Sequence, residues 1–99
     1  MPASEAGAPA GGAPVIVIPA LNAAATLPAV LRRLREVLPA TPVVVVDDGS
    51  DDATSAVAKD HGAFVVWLTL TEGKGRALAA GVRVALARGA STVVTMDAD

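Results

Sequence analysis

Four short runs of β-branched and apolar residues, separated by stretches with helical spacing, restrict this chain to very few folds. The runs are Val15–Ile18, Val43–Val46, Phe64–Leu68 and Thr92–Met96. The second is four consecutive valines, and a run apolar on both sides of the pleat suits a strand buried on both faces. Pro19 is read as ending the first strand, with Ala20–Ala25 as a loop. In the first intervening stretch Leu27, Val30, Leu31, Leu34 and Leu38 recur at helical spacing, with Arg32, Arg33, Arg35 and Glu36 interleaved. Thr26 is read as the cap, and Pro28 falls in the first turn, where its missing N–H costs nothing. The spacing predicts a second helix from Ala53 to about His61, with Asp52 as N-cap and Gly62 as terminator. It predicts a third over Gly75–Ala87, with Leu78, Val82, Ala85 and Leu86 on the inner face. A β-α-β-α-β-α-β order is α/β: a mostly parallel four-stranded sheet with helices on both faces, each crossover right-handed.

Ninety-nine residues suit one small domain. Residues 1–14 are Ala, Gly, Pro and Ser apart from Met1 and Glu5, a composition that cannot offset its ordering entropy, so a disordered tail is expected there and a folded unit over residues 15–99. Phe64 and Trp67 are the only aromatics, and Trp67, flanked by strand residues, is expected in the core. With net charge −2 and no basic groove or aromatic platforms, nucleic-acid binding is excluded. Cysteine is absent, so thiolate metal sites are excluded as well. No apolar run nears the roughly 20 residues of a spanning helix, and the N-terminus lacks the charged and apolar regions of a signal peptide. The expected setting is the cytoplasm.

In parallel α/β sheets ligands bind beyond the carboxyl ends of the strands, where strand order reverses. Six of the ten acidic residues (Asp47, Asp48, Asp51, Asp52, Asp97 and Asp99) lie at two such ends. In Asp97-Ala98-Asp99 two carboxylates two residues apart leave an extended strand pointing the same way. They can face one hard ion, Mg²⁺ or Mn²⁺, or merely solvate a strand end. Within Asp47-Asp48-Gly49-Ser50, Asp48 can accept hydrogen bonds from a ribose or a base N–H, while Asp51 and Asp52 suit a helix cap. Gly73-Lys74-Gly75-Arg76 opens the third helix, where glycines allow close approach and Lys74 or Arg76 adds positive charge. It lacks the residues of a P-loop, and taken alone it also reads as a loop with solvated cations. His61, beside Gly62, suits a helix C-terminus rather than catalysis, and Ser50 and Ser55 have no histidine partner nearby in sequence, so nothing points to a nucleophilic triad.

Together VIVIPALNAAATLPAVL, VVVVDDGSDDAT, GKGRALAAGV and a strand ending in DAD resemble the N-terminal nucleotide-binding half of family 2 glycosyltransferases, in particular the polyprenyl-phosphate branch that includes dolichol-phosphate mannosyltransferase-like enzymes. The resemblance spans Val15 to Asp99. It implies a GT-A fold, a Rossmann-like three-layer sandwich, here the half that ends at the DxD motif. It further implies a nucleotide-sugar donor, UDP- or GDP-linked, bound by Pro19, Ala20, Asn22, Asp47, Asp48, Lys74, Arg76 and Asp97. Asp97 and Asp99 would hold Mg²⁺ or Mn²⁺ on its diphosphate. The acceptor would be a hydroxyl or a phosphate such as a polyprenyl phosphate, at the inner face of the membrane. The family often has Glu where Ala23 stands, so any contact of that Glu is missing. Its catalytic base and acceptor-binding residues lie after DxD, hence beyond residue 99, so these residues alone are expected to bind donor without turnover. The implied reaction is direct displacement at the anomeric carbon by an inverting enzyme, with a related retaining synthase kept open. Two other readings remain: a receiver domain, in which Asp47, Asp48 and Asp97 would form the acidic trio around a phosphoacceptor, and a non-catalytic nucleotide-binding module.

Overall fold

A computed structural model of the chain describes residues 13–99. The expectation for the tail falls on residues 1–12, which lie outside the described residues, except at its end: Pro14 already belongs to the first strand. The elements are β1 (Pro14–Ala20), α1 (Leu27–Val37), β2 (Val43–Asp48), α2 (Thr54–Asp60), β3 (Phe64–Leu68), α3 (Lys74–Ala87) and β4 (Thr92–Thr95). All pairings are parallel and the strand order is β3-β2-β1-β4. The α/β sandwich expected from the alternation is therefore present. Its chain order reverses between β1 and β4, where the neighbouring carboxyl ends open a crevice.

Strand alternation sorts the core into two layers. Ile16, Ile18, Ala20 and Val45 pack with Leu27, Leu31 and Leu34 of α1 and Ala58 of α2. Val15, Val17, Val44 and Val46 point the other way and pack with Ala77 and Ala85 of α3. Both faces of β1 and β2 are covered, which is why these two strands carry unbroken apolar runs.

Several local expectations need correcting. Pro19 does not end β1: it pairs with Val46, and Ala20 with Asp47. Ile16 donates toward β2 through Pro42 O, whereas Val17 O accepts from Met96 N on the β4 side. Pro19 has the parity of Val17, so its missing donor falls on the β4 side, beyond the last β1–β4 pair, Val17 with Thr95. The strand β2 runs through Asp47 and Asp48 rather than stopping at Val46. Thr26 is the N-cap residue of α1 but makes no side-chain cap; its hydroxyl donates instead to Ala98 O at 3.0 Å. The N-cap residue of α2 is Ala53, one place after the expected Asp52, although the Asp52 carboxylate still accepts from Thr54 N at 3.0 Å.

The inner face of α3 only partly matches the stripe read from the sequence: Ala85 is buried and Leu78 packs against the core as expected. Its buried residues are Ala77, Gly81 and Ala85, while Leu86 is exposed. A Cβ on Gly81 would collide with Val17 Cγ1 and come within 2.7 Å of Val46 Cγ2. The helix lies almost directly on the sheet, and small residues at i, i+4 and i+8 make that approach possible. Trp67 is also not core: it is 62% exposed. It sits near the carboxyl end of β3, an edge strand with a neighbour on one side only, which leaves its ring open to solvent.

Candidate functional site

At the carboxyl end of β1 the chain turns sharply through Asn22, the only described non-glycine residue with positive φ (51°). Asparagine tolerates this region better than most residues, and here the turn is tied on both sides. Asn22 N donates to Ser50 Oγ at 2.8 Å, and Asn22 Oδ1 accepts from Asp51 N at 2.8 Å. Ala23 N donates to Thr54 Oγ1 and Ala24 N to Asp52 Oδ2. The loop after β1 is thus fastened by four hydrogen bonds, three to the loop after β2 and one to the first residue of α2. That rigidity places Pro19, Ala20 and Asn22 along one wall of the crevice.

At the end of β2 the period of two sends adjacent aspartates to opposite faces. Asp47, 2% exposed, turns toward α2 and accepts from Ser50 N at 2.9 Å and Ser55 Oγ at 2.5 Å. Asp48, 3% exposed, turns toward α3, and its two oxygens accept from Glu72 N at 2.7 Å and Gly73 N at 3.0 Å. Thr71 Oγ1 donates to Asp48 O at 2.9 Å, closing the same joint. Gly49 (φ 75°) lies where a Cβ would come within 2.7 Å of Thr71 N, so only glycine lets these two backbones meet.

Gly73 (φ 97°) then starts α3, and Lys74 Nζ reaches across to Asp97 Oδ1 at 2.6 Å. Both partners are largely exposed, at 69% and 65%. The hydrogen bond and charge of Asp97 raise the Lys74 pKa above its usual 10.5, with Asp99 adding to the effect.

The crevice enclosed by these strand ends measures about 420 Å³. Of the residues singled out in the sequence, it brings together Pro19, Ala20, Asn22, Asp48, Lys74, Asp97 and Asp99. Asp47 is turned away into the α2 joint, and Arg76, exposed on α3, does not line the crevice. His61 lies elsewhere, its Nδ1 2.9 Å from Val57 O at the end of α2. Thr71, on the strand end at residues 69–76 that the sequence already marked, lines the crevice, and so does Thr26, expected only as a helix cap. Thr26 belongs to no acidic or glycine-rich motif, so only its placement in space reveals it.

Three carboxylates and one ammonium leave the crevice net negative, so a diphosphate needs an accompanying cation to enter. Among the described residues no three His, Cys, Asp or Glu converge to hold an ion unaided. Asp97 and Asp99 supply two oxygen-donor side chains on the same crevice wall. That set suits Mg²⁺ or Mn²⁺, which commonly take one or two carboxylates and complete their shell with water and substrate phosphate.

The family model for "Glycosyl transferase family 2" matches residues 15–99. The chain is a family 2 glycosyl transferase chain. Among curated relatives of this family, an undecaprenyl-phosphate mannosyltransferase from Micrococcus luteus is 41% identical over 88 residues, covering 84% of this chain and 36% of its own. A polyprenol monophosphomannose synthase from Mycolicibacterium smegmatis is 36% identical over 91 residues, covering 86% and 34%. Glucosyl-3-phosphoglycerate synthase from Mycobacterium tuberculosis, solved with Mn²⁺, UDP and glucosyl-3-phosphoglycerate, superposes with a TM-score of 0.68 at 30% identity, covering 90% of this chain and 34% of that one. The chain thus spans about a third of the length of these relatives. No helix among the described residues is long and apolar enough to cross a membrane.

Family membership sets the receiver reading aside, and the geometry gives the reason. A phosphoacceptor site needs its acidic trio convergent, whereas Asp47 and Asp48 diverge to opposite faces of the glycosyl transferase sheet.

The loop tie at Asp52 is expected to weaken in acid. The Thr54 hydroxyl hydrogen bond, helped by the Ala24 and Thr54 amides and partly opposed by burial, lowers the Asp52 pKa below its usual 3.8. A depressed carboxylate stabilises the fold above its unfolded pKa, and that contribution is lost as pH falls through the folded value. As pH falls below about 3.8 the thermal midpoint of the native chain is expected to fall more steeply than that of Asp52→Asn. Parallel curves would show that the tie does not couple to protonation.

Proposed function

We propose that these residues form the donor-binding half of a glycosyl transferase that moves a sugar from a UDP- or GDP-linked donor to a polyprenyl phosphate at the cytoplasmic membrane face. The observation that carries the reading is the convergence of Asp48, Lys74, Asp97 and Asp99 on one crevice at the β1–β4 switch point. The acceptor class is supported by the names of the two mannosyltransferase relatives, and the donor by the UDP and Mn²⁺ bound in the structural neighbour.

In this reading the base lies toward Asp48. Its carboxylate has four lone-pair sites and uses two on backbone amides, so it can still accept an N–H from the base. Pro19, Ala20 and Asn22, held by the loop tie, form the wall against which the nucleoside packs. Asp97 and Asp99 would hold Mg²⁺ or Mn²⁺, which when bound neutralises the charge gathering on the departing diphosphate. Lys74 adds a second positive charge at the start of α3. The acceptor oxygen bonds to the anomeric carbon as the carbon–oxygen bond to the β-phosphate breaks, and the electron pair leaves on the nucleoside diphosphate. Asp47, spent on Ser50 and Ser55, acts by holding the β2–α2 turn rather than by touching donor.

Calorimetry of the chain with UDP and with GDP, each with and without Mn²⁺, tests this. Binding is expected to need the metal and to weaken by at least about tenfold in Asp99→Ala, the scale seen even for outer partners of metal ligands. Nucleotide binding indifferent to both the metal and Asp99 overturns the reading.

A further inference from the structure

We propose that Lys74 is a placeholder cation: its ammonium holds the Asp97 carboxylate until a divalent metal claims it, and then turns to the diphosphate, so that metal and nucleotide enter as a coupled pair. This rests on the donor-binding reading above and adds an order and a coupling to it.

The geometry is specific. The Nζ–Oδ1 contact is a charge-assisted hydrogen bond of 2.6 Å inside the crevice that contains Asp99. One carboxylate oxygen cannot keep a close ammonium and a divalent ion side by side without like-charge repulsion. Both side chains are solvent-exposed, so the pair is weak and easily exchanged. The backbone beneath Lys74 is not free to follow. Gly73 N is held by Asp48 Oδ2, and Gly73 O accepts from Ala77 N at 2.9 Å. Exchange therefore involves only the four-carbon stem, which has the rotational freedom for it. Space for the swing exists, since the Lys74 side chain is 69% exposed. Displacement of Lys74 by the metal delivers a cation to the incoming diphosphate, and by linkage the diphosphate, in drawing Lys74 away, improves the metal site by the same factor.

The test compares the native chain with Lys74→Met and with Arg83→Met, which removes one positive charge from the same helix. Mn²⁺ affinity is read by electron paramagnetic resonance of free Mn²⁺, first alone and then with saturating UDP or GDP. Lys74→Met is expected to bind Mn²⁺ alone about two- to fivefold more tightly, the worth of an exposed ion pair, while the enhancement by nucleotide shrinks. Arg83→Met should leave both unchanged. Equal or weaker Mn²⁺ binding by Lys74→Met, or a gain matched by Arg83→Met, overturns the proposal. If native Mn²⁺ binding depends on Asp97 and Asp99 and Lys74→Met is silent, only the placeholder role falls. If native Mn²⁺ binding ignores both aspartates, the donor-site reading falls with it.

Discussion

Gly81→Val is expected to destabilise the chain by about 3 kcal/mol, the upper end of typical overpacking costs, and to do so far from the crevice. The missing Cβ is the reason α3 can lie on β1 and β2: one added carbon already meets Val17 and Val46, both buried and β-branched. Stiff side chains in a filled layer have no low-energy rotamer to retreat into. Gly81→Ala should also lose stability, by less, because up to about 1 kcal/mol of helix propensity offsets the clash. Gly75→Ala provides the opposite sign. It lies in the same helix, its φ is not positive and its Cβ would meet nothing, so a gain of up to about 1 kcal/mol is expected. Urea denaturation midpoints of the three variants decide the matter. An unchanged midpoint for Gly81→Val would mean that α3 can ride higher on the sheet without loss.

Asp48→Ala is expected to cost about 3 kcal/mol and to abolish measurable nucleotide binding as well. A carboxylate that accepts from backbone amides contributes about 1.5–3 kcal/mol per bond, and its removal leaves donors unpaired. Here the donors are Glu72 N and Gly73 N, which set the entry to α3 and hence the position of Lys74. Asp48→Asn should fall between, since its NH₂ replaces one of the two acceptors and faces an amide N–H. Asp47→Asn disturbs the α2 joint instead, so its midpoint should drop while nucleotide affinity at saturating metal is largely kept. Calorimetry beside thermal melts separates the two. Equal losses of affinity in the Asp47 and Asp48 variants would contradict their assignment to opposite faces.

Much of this was legible before any coordinates. Valine runs marked strands, leucine spacing marked α1, and acids at strand ends marked the crevice wall, because burial and the turn chemistry of strand ends leave local signals. The errors share one cause. Trp67 was expected inside because its neighbours are apolar, yet whether a strand residue is covered depends on whether its strand is central or at the edge. Leu86 was expected inward from its helical spacing with Leu78 and Val82, yet α3 packs by its smallest residues. Thr26 was expected to cap its own helix, yet its hydroxyl found Ala98, far along the chain.

Periodicity acts over a few residues, and it was enough for the element order and the α/β class, while the motifs at the strand ends carried the family resemblance. The opposite aims of Asp47 and Asp48 came from the structure, where β2 runs on through both. The strand order, the contact of Gly81 with Val17 and Val46, and the meeting of Lys74 with Asp97 were decided by the tertiary structure alone. Each depends on which distant element becomes a neighbour, and that follows from the packing of the whole domain rather than from any local run of side chains.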